Sequence, residues 1–154
     1  MEYIVAKWLH ILSSTLLFGT GIGSAYYMLF TSFVRDARAM ATVARLVVLA
    51  DWCFTATTVV FQPLSGYYLM RLMGYPLESR WIAWSIALYA VAVVCWLPVV
   101  WIQLRLRDLA CAAADAGELL PIGYWRLLRQ WVALGTIAFL ALVAVFYLMV
   151  AKPM

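Results

Sequence analysis

His10 is the single histidine of this 154-residue chain, and it stands inside a long apolar run. An ionisable side chain in such a run is rare and points to a site that needs it. Neutral imidazole ligates haem iron, and it also hydrogen-bonds readily to a neighbouring helix. At helical spacing Ser14, Gly21 and Ser24 share the face that carries His10. Their small side chains leave a groove, which either accepts a planar macrocycle or simply packs another helix. A second axial ligand would have to be a methionine, a tyrosine, a lysine, a water or a group from another subunit. Gln62 adjoins Pro63 in the second apolar run, and Arg71, Arg80 and Lys152 stand at the ends of runs. Those three cations suit haem propionates, or else they snorkel to the membrane interface. The candidate cofactor site is therefore His10, Ser14, Gly21, Gln62, Arg71, Arg80 and Lys152, with His10 as its metal ligand.

Other chemistry finds less support. Asp51 is expected to pair with Arg45 or with an arginine of a connection, a proton relay being the sharper alternative. Cys53, Cys95 and Cys111 form no C-x-x-C pair and read as small packing residues. His10 with Met28, Met70 and Met149 is too scattered for a copper site. No Walker, H-E-x-x-H, G-x-S-x-G or G-x-G-x-x-G context occurs.

The elements that must position these residues are membrane helices. Hydrophobic residues make up 68% of the chain and charged residues 12%, against roughly half and one quarter in soluble domains. A domain of this size cannot hide such an excess from water, so lipid is its solvent. Four stretches, 3–33, 52–70, 81–102 and 131–150, are long enough for a hydrocarbon core of about 30 Å. They define a single integral membrane domain, residues 1–154, built as an all-α four-helix bundle. The first stretch lacks a basic leader and stays apolar too long for a signal peptide, so it reads as a retained helix. The termini carry no lipidation motif.

Basic residues are spread unevenly. Arg35, Arg38, Arg45, Arg105, Arg107, Arg126 and Arg129 belong to the first and third connections, against Lys7, Arg71, Arg80 and Lys152 at the other end. By the positive-inside rule the arginine-rich connections are cytoplasmic. Both termini then lie on the outer, periplasmic side of a bacterial inner membrane. Helices two and three extend into the cytoplasm, helix two from near Thr42. Lipid headgroups, not nucleic acid, are the partners such a rim implies. Pro63 is expected to kink helix two. Gly117 stops helix three and Pro121 restarts the chain. Gly19 and Gly23 form a small-xxx-small pair for close helix approach, within the chain or in a homodimer. Trp81, Trp84, Trp101, Trp125 and Trp131 fall where an aromatic belt would place them.

The opening Lys7-Trp8-Leu9-His10-Ile11-Leu12-Ser13-Ser14, followed by Phe18-Gly19, resembles the first helix of a known group. That group holds the HemJ-type membrane protoporphyrinogen oxidases and the CopD-like copper-resistance membrane domains. Gln62-Pro63-Leu64-Ser65-Gly66 sits where those oxidases have a Pro-Gly in helix two. The start of helix three at Trp81 and the closing segment 146–152 are also similar. A family of bacterial integral membrane proteins of unknown function is closer still, with a K-x-L-H-I-like opening and a terminal Lys-Pro pair, here Lys152-Pro153. The resemblance covers most of the chain. It implies four or five helices and, in the oxidase branch, b-type haem on the first-helix histidine, here His10. The oxidases carry a lysine early in helix three, where this chain has Ser85 and no lysine in that helix. The resemblance thus carries haem binding further than porphyrinogen oxidation. A haem-binding redox or haem-handling protein is the leading expectation. A non-enzymatic scaffold that binds lipid or a partner subunit is second, and a small-molecule or metal transporter is third.

Overall fold

A computed structural model describes residues 1–153. The chain forms four long helices: α1 (Glu2–Val34), α2 (Ala37–Met73), α3 (Arg80–Ala116) and α4 (Ile122–Ala151). All four are long and apolar enough to cross a membrane. The four-helix bundle expected from composition is the observed architecture, and no strand occurs among the described residues.

Local chemistry sets the helix ends. Gly74 and Gly117 terminate α2 and α3 in the left-handed region, both at φ 67°, which a residue without Cβ adopts freely. Pro121 precedes α4, as the sequence implied. Helix α2 begins five residues before the expected Thr42. Asp36 caps it by accepting the Arg38 backbone N–H at 2.9 Å, so one exposed carboxylate satisfies an end that would otherwise fray. Helix α4 runs past its apolar stretch 131–150 at the arginine-rich end, from Ile122, where the restart at Pro121 places it.

Helix α2 changes character in its middle. Asp51–Thr55 form a π-helical turn, where the Ala56 N–H reaches back to the Asp51 carbonyl. Beyond it the helix runs unbroken through Pro63 to Met73. Pro63 cannot donate to the carbonyl four residues earlier, that of Val59. The Tyr89 hydroxyl of α3 donates to that carbonyl at 2.7 Å. A group left unpaired in hydrocarbon costs several kcal/mol, so a proline on one helix is matched by a tyrosine on another.

Packing is uneven along the bundle. The tight core lies at the arginine-rich end, where Met28, Met40, Ala44, Leu106, Ala110 and Tyr124 are fully or almost fully buried. Alanines on facing turns of α2 and α3 let those helices close in. Tyr124 and Ser32 join their hydroxyls at 2.9 Å, and Ser32 returns a proton to the Met28 carbonyl. At the opposite end the helices separate into two hairpins, with the outer half of α2 against α1 and with α3 against α4. Large apolar side chains such as Val60, Leu64, Trp84 and Leu97 face outward. In water so much exposed apolar surface would drive association; in a bilayer it is the solvated face.

Candidate functional site

His10 lies on the seam between α1 and the outer half of α2. Its Nδ1 is 2.7 Å from Ser65 Oγ. The Ser65 hydroxyl also lies 2.8 Å from the Phe61 carbonyl, to which it donates along its own helix. With the Ser65 proton on that carbonyl, Ser65 can accept from His10 Nδ1–H, the arrangement that leaves the lone pair on Nε2. The His10 backbone carbonyl accepts from Gln62 Nε2 at 3.0 Å. A Cβ built on Gly66 would stand 3.4 Å from His10 Cε1, so this glycine makes room for the ring. One turn beyond the seam's outer end, the Tyr68 hydroxyl donates to Glu2.

The remaining expected site residues do not gather around His10. Ser14 donates to the Ile11 carbonyl of its own helix. Gly21 is three turns further in and faces a different space. Arg71 and Arg80 are exposed near the outer turn. Lys152 places its ammonium over the rings of Tyr75 and Trp81, at 5.4 and 5.6 Å. Such a cation–π contact accounts for Lys152 without any propionate. Gly19 and Gly23 meet no neighbouring atom, so they are not the close-approach pair within this bundle; Gly66 fills that role.

Where the two hairpins part there is a cavity of about 460 Å³. Its wall is mainly apolar, with Leu17, Phe18, Trp96 and Phe139 prominent. Phe18 stacks on Phe139 at 5.2 Å and meets Phe146 edge-on, bridging α1 and α4 beside it. Gly21 and Gly135 both line the cavity, and a Cβ on either would meet nothing. Exposed Ile22, Tyr26 and Thr136 stand at its rim, so it is reached from the side between α1 and α4.

The polar part of the cavity wall lies at the π turn. Asp51 is only 6% exposed, and its carboxylate accepts from the Thr55 hydroxyl at 2.9 Å. Gln103 of α3, 3% exposed, lies beside it. The expected partner does not come: Arg45 turns its Nε to Cys111 Sγ, 3.3 Å away. One residue of α-helical pitch separates Arg45 from the face that Asp51 occupies, and Arg45 is exposed where Asp51 is buried. Among the described residues the one ion pair is Arg107 with Asp108, at the arginine-rich end. Trp131 was expected at the membrane boundary, but it is 6% exposed and lines the cavity. The indole nitrogens of Trp96 and Trp131 are buried with no hydrogen-bond partner. The sequence signal for this site was the charge within an apolar helix; the π turn and the indoles left no signal.

Residues 4–153 match the family described as "Predicted integral membrane protein (DUF2269)", and the chain belongs to that family. No curated protein and no solved structure matches it.

The seam and the open glycine face respond differently to bulk. Gly66→Leu drives a side chain into the His10 ring and is expected to destabilise the bundle by about 1–3 kcal/mol. Gly19→Leu places its Cβ in open space and should cost far less stability. Thermal unfolding of the two variants in detergent checks this, and equal losses would contradict the seam as described.

Proposed function

We propose that this membrane protein binds a small, largely apolar molecule in the cavity between its two hairpins. The molecule's polar end sits at Asp51, Thr55 and Gln103, and its body lies along Phe18, Trp96 and Phe139. One observation carries this reading: a buried carboxylate opens onto an aromatic-walled cavity with no cation of the chain against it. A buried carboxylate without a charge partner is costly, and sites of function are where such costs are retained. The cavity volume also falls in the range of small-molecule sites. A lateral opening lets the ligand arrive from lipid, which suits either a binding protein or a transporter.

Triphenylphosphine oxide is a suitable neutral probe, since it is bulky, aromatic and a strong hydrogen-bond acceptor. Bound at 100-fold above its Kd, it should stabilise the purified protein by about 2.7 kcal/mol. Gly135→Leu adds bulk to the cavity wall at a position where a Cβ meets nothing, and should weaken the stabilisation while leaving the fold intact. Equal stabilisation of both forms would place the probe elsewhere and sink the proposal.

A second reading keeps the expectation of b-type haem, with His10 as axial ligand. The observation in its favour is the 2.7 Å contact of His10 Nδ1 with Ser65 Oγ, which engages that nitrogen and leaves Nε2 as the one able to ligate. When bound, haem would supply one-electron chemistry. The other groups assigned to it, Ser14, Gly21, Arg71, Arg80 and Lys152, do not converge with His10, so His10 and Gln62 alone carry this reading. Protein purified after growth with ample haem should show a Soret band that His10→Ala abolishes; no band, or one that survives the substitution, excludes it.

The arginine-rich end is proposed to face the cytoplasm of a bacterial cell, which puts the cavity's polar end nearer that side. In a cysteine-free background, an impermeant thiol reagent should label Leu77→Cys in intact cells and spare Leu119→Cys. The opposite pattern reverses the orientation.

A further inference from the structure

We propose that the natural ligand of the cavity is an organic monocation, and that it binds in exchange for a proton on Asp51. The inference rests on the cavity reading and adds the charge of the ligand.

Charge balance is the first argument. No lysine, arginine or histidine lines the cavity. Its titratable groups besides Asp51 are two phenols, Tyr26 from α1 and Tyr89 from α3. The Tyr89 proton is already committed to the Val59 carbonyl. Helix α4 contributes Trp131 and Thr136, neither of which titrates, and Thr136 donates to its own helix. The Thr55 hydroxyl and Gln103 are neutral dipoles. An ionised carboxylate so far from water needs a compensating charge. Nothing in the chain supplies one, so the charge is a proton or a cation from outside.

The second argument is the wall. Aromatic side chains from three helices, Phe18, Tyr26, Trp96, Trp131 and Phe139, line the same cavity as the carboxylate. Such faces attract a cation while excluding water. A metal ion is the poorer occupant. Hard cations take six or more oxygen ligands, and no group of three histidine, cysteine or acidic side chains gathers anywhere among the described residues. A space of about 460 Å³ is also far larger than a bare ion fills. An ammonium or phosphonium carrying apolar substituents matches both the charge and the volume.

The exchange balances. The cation and the protonated Asp51 carboxyl give the cation–carboxylate pair and one proton, which leaves to solvent. No covalent bond forms and nothing is oxidised. Affinity for the cation therefore rises with pH, approaching tenfold per pH unit where the empty site holds its proton. A neutral ligand of the same shape shows no such dependence.

Methyltriphenylphosphonium and triphenylphosphine oxide test this, because they differ little in shape and by one charge. Both are titrated into the purified full-length protein by calorimetry, in buffers of different ionisation enthalpy. The cation should bind with release of about one proton and tighten as pH rises. Asp51→Asn should weaken it by at least about tenfold and leave the oxide unaffected, whose binding also reports that the variant is folded. Asp51→Glu should keep the proton release. Cation binding with no proton release, or equal in Asp51→Asn, overturns the proposal. If only the oxide binds, the cavity reading stands and the charge assignment falls. If neither binds, both fall. The proton count in the unmodified protein needs no variant at all.

Discussion

Lipid offers no hydrogen bonds, and that constraint organises this protein. Each polar group along the four helices must find its partner inside the chain or be kept for something else. Most are settled locally. Ser14, Ser24, Thr57 and Thr136 return their hydroxyl protons to carbonyls of their own helices. Where local repair fails, the repair comes from another helix, as when Tyr89 serves the carbonyl that Pro63 leaves unpaired. His10 and Gln62 tie α1 to α2 by the same logic. Against that background the buried side-chain atoms without a partner stand out, Ser13 Oγ on α1 and the indole nitrogens of Trp96 and Trp131, and both indoles line the cavity that holds Asp51. Their clustering argues for a site more strongly than any one of them would.

The same constraint explains why the bundle is closed at one end only. Apolar burial gains little between helices already solvated by lipid, so close packing depends on shape. Small residues supply it at the inner end, where Ala41, Ala44, Ala110 and Ala113 line the approach of α2 to α3. Toward the outer end the facing positions carry Phe18, Trp96 and Phe139, which hold the hairpins apart. A cavity of this kind follows from where the alanines stop and the aromatics begin.

The sequence revealed the helices almost completely, because length and hydropathy decide what can cross a bilayer. It located helix stops where a glycine or proline dictates the backbone. It singled out His10 and Gln62 as polar groups within apolar runs and Asp51 at the end of one, and all three are engaged between or beside helices. Partners were harder to read. His10 pairs with a serine 55 positions away, and only the relative rotation of two helices decides that. Arg45 and Asp51 looked complementary, yet they point to different neighbours. The groove of small residues on α1 was visible as a pattern, but Gly21 and Ser24 line the cavity while Ser14 bonds its own helix. Trp131 fitted a membrane belt by its position in the chain, and the extension of α4 at its inner end carries it into the bundle.

The π turn of α2 has a geometric consequence of its own. Buried positions of α2 run as one stripe of helical period, from Ala37 and Ala44 through Asp51 to Thr58 and Gln62. A reader of that stripe would assign it a single facing. Five residues wound more loosely delay the rotation by nearly one residue, or about 100° of azimuth. The stripe thus addresses α3 below the turn and α1 above it. Helix α2 works as a joint that hands the chain from one neighbour to the next, with the carboxylate at the pivot. Removing one residue from that turn would straighten the hydrogen-bond ladder, and it would also swing Gln62, Ser65 and Gly66 away from His10 as a unit. The length of the loosened segment therefore sets the azimuth at which the seam residues meet α1.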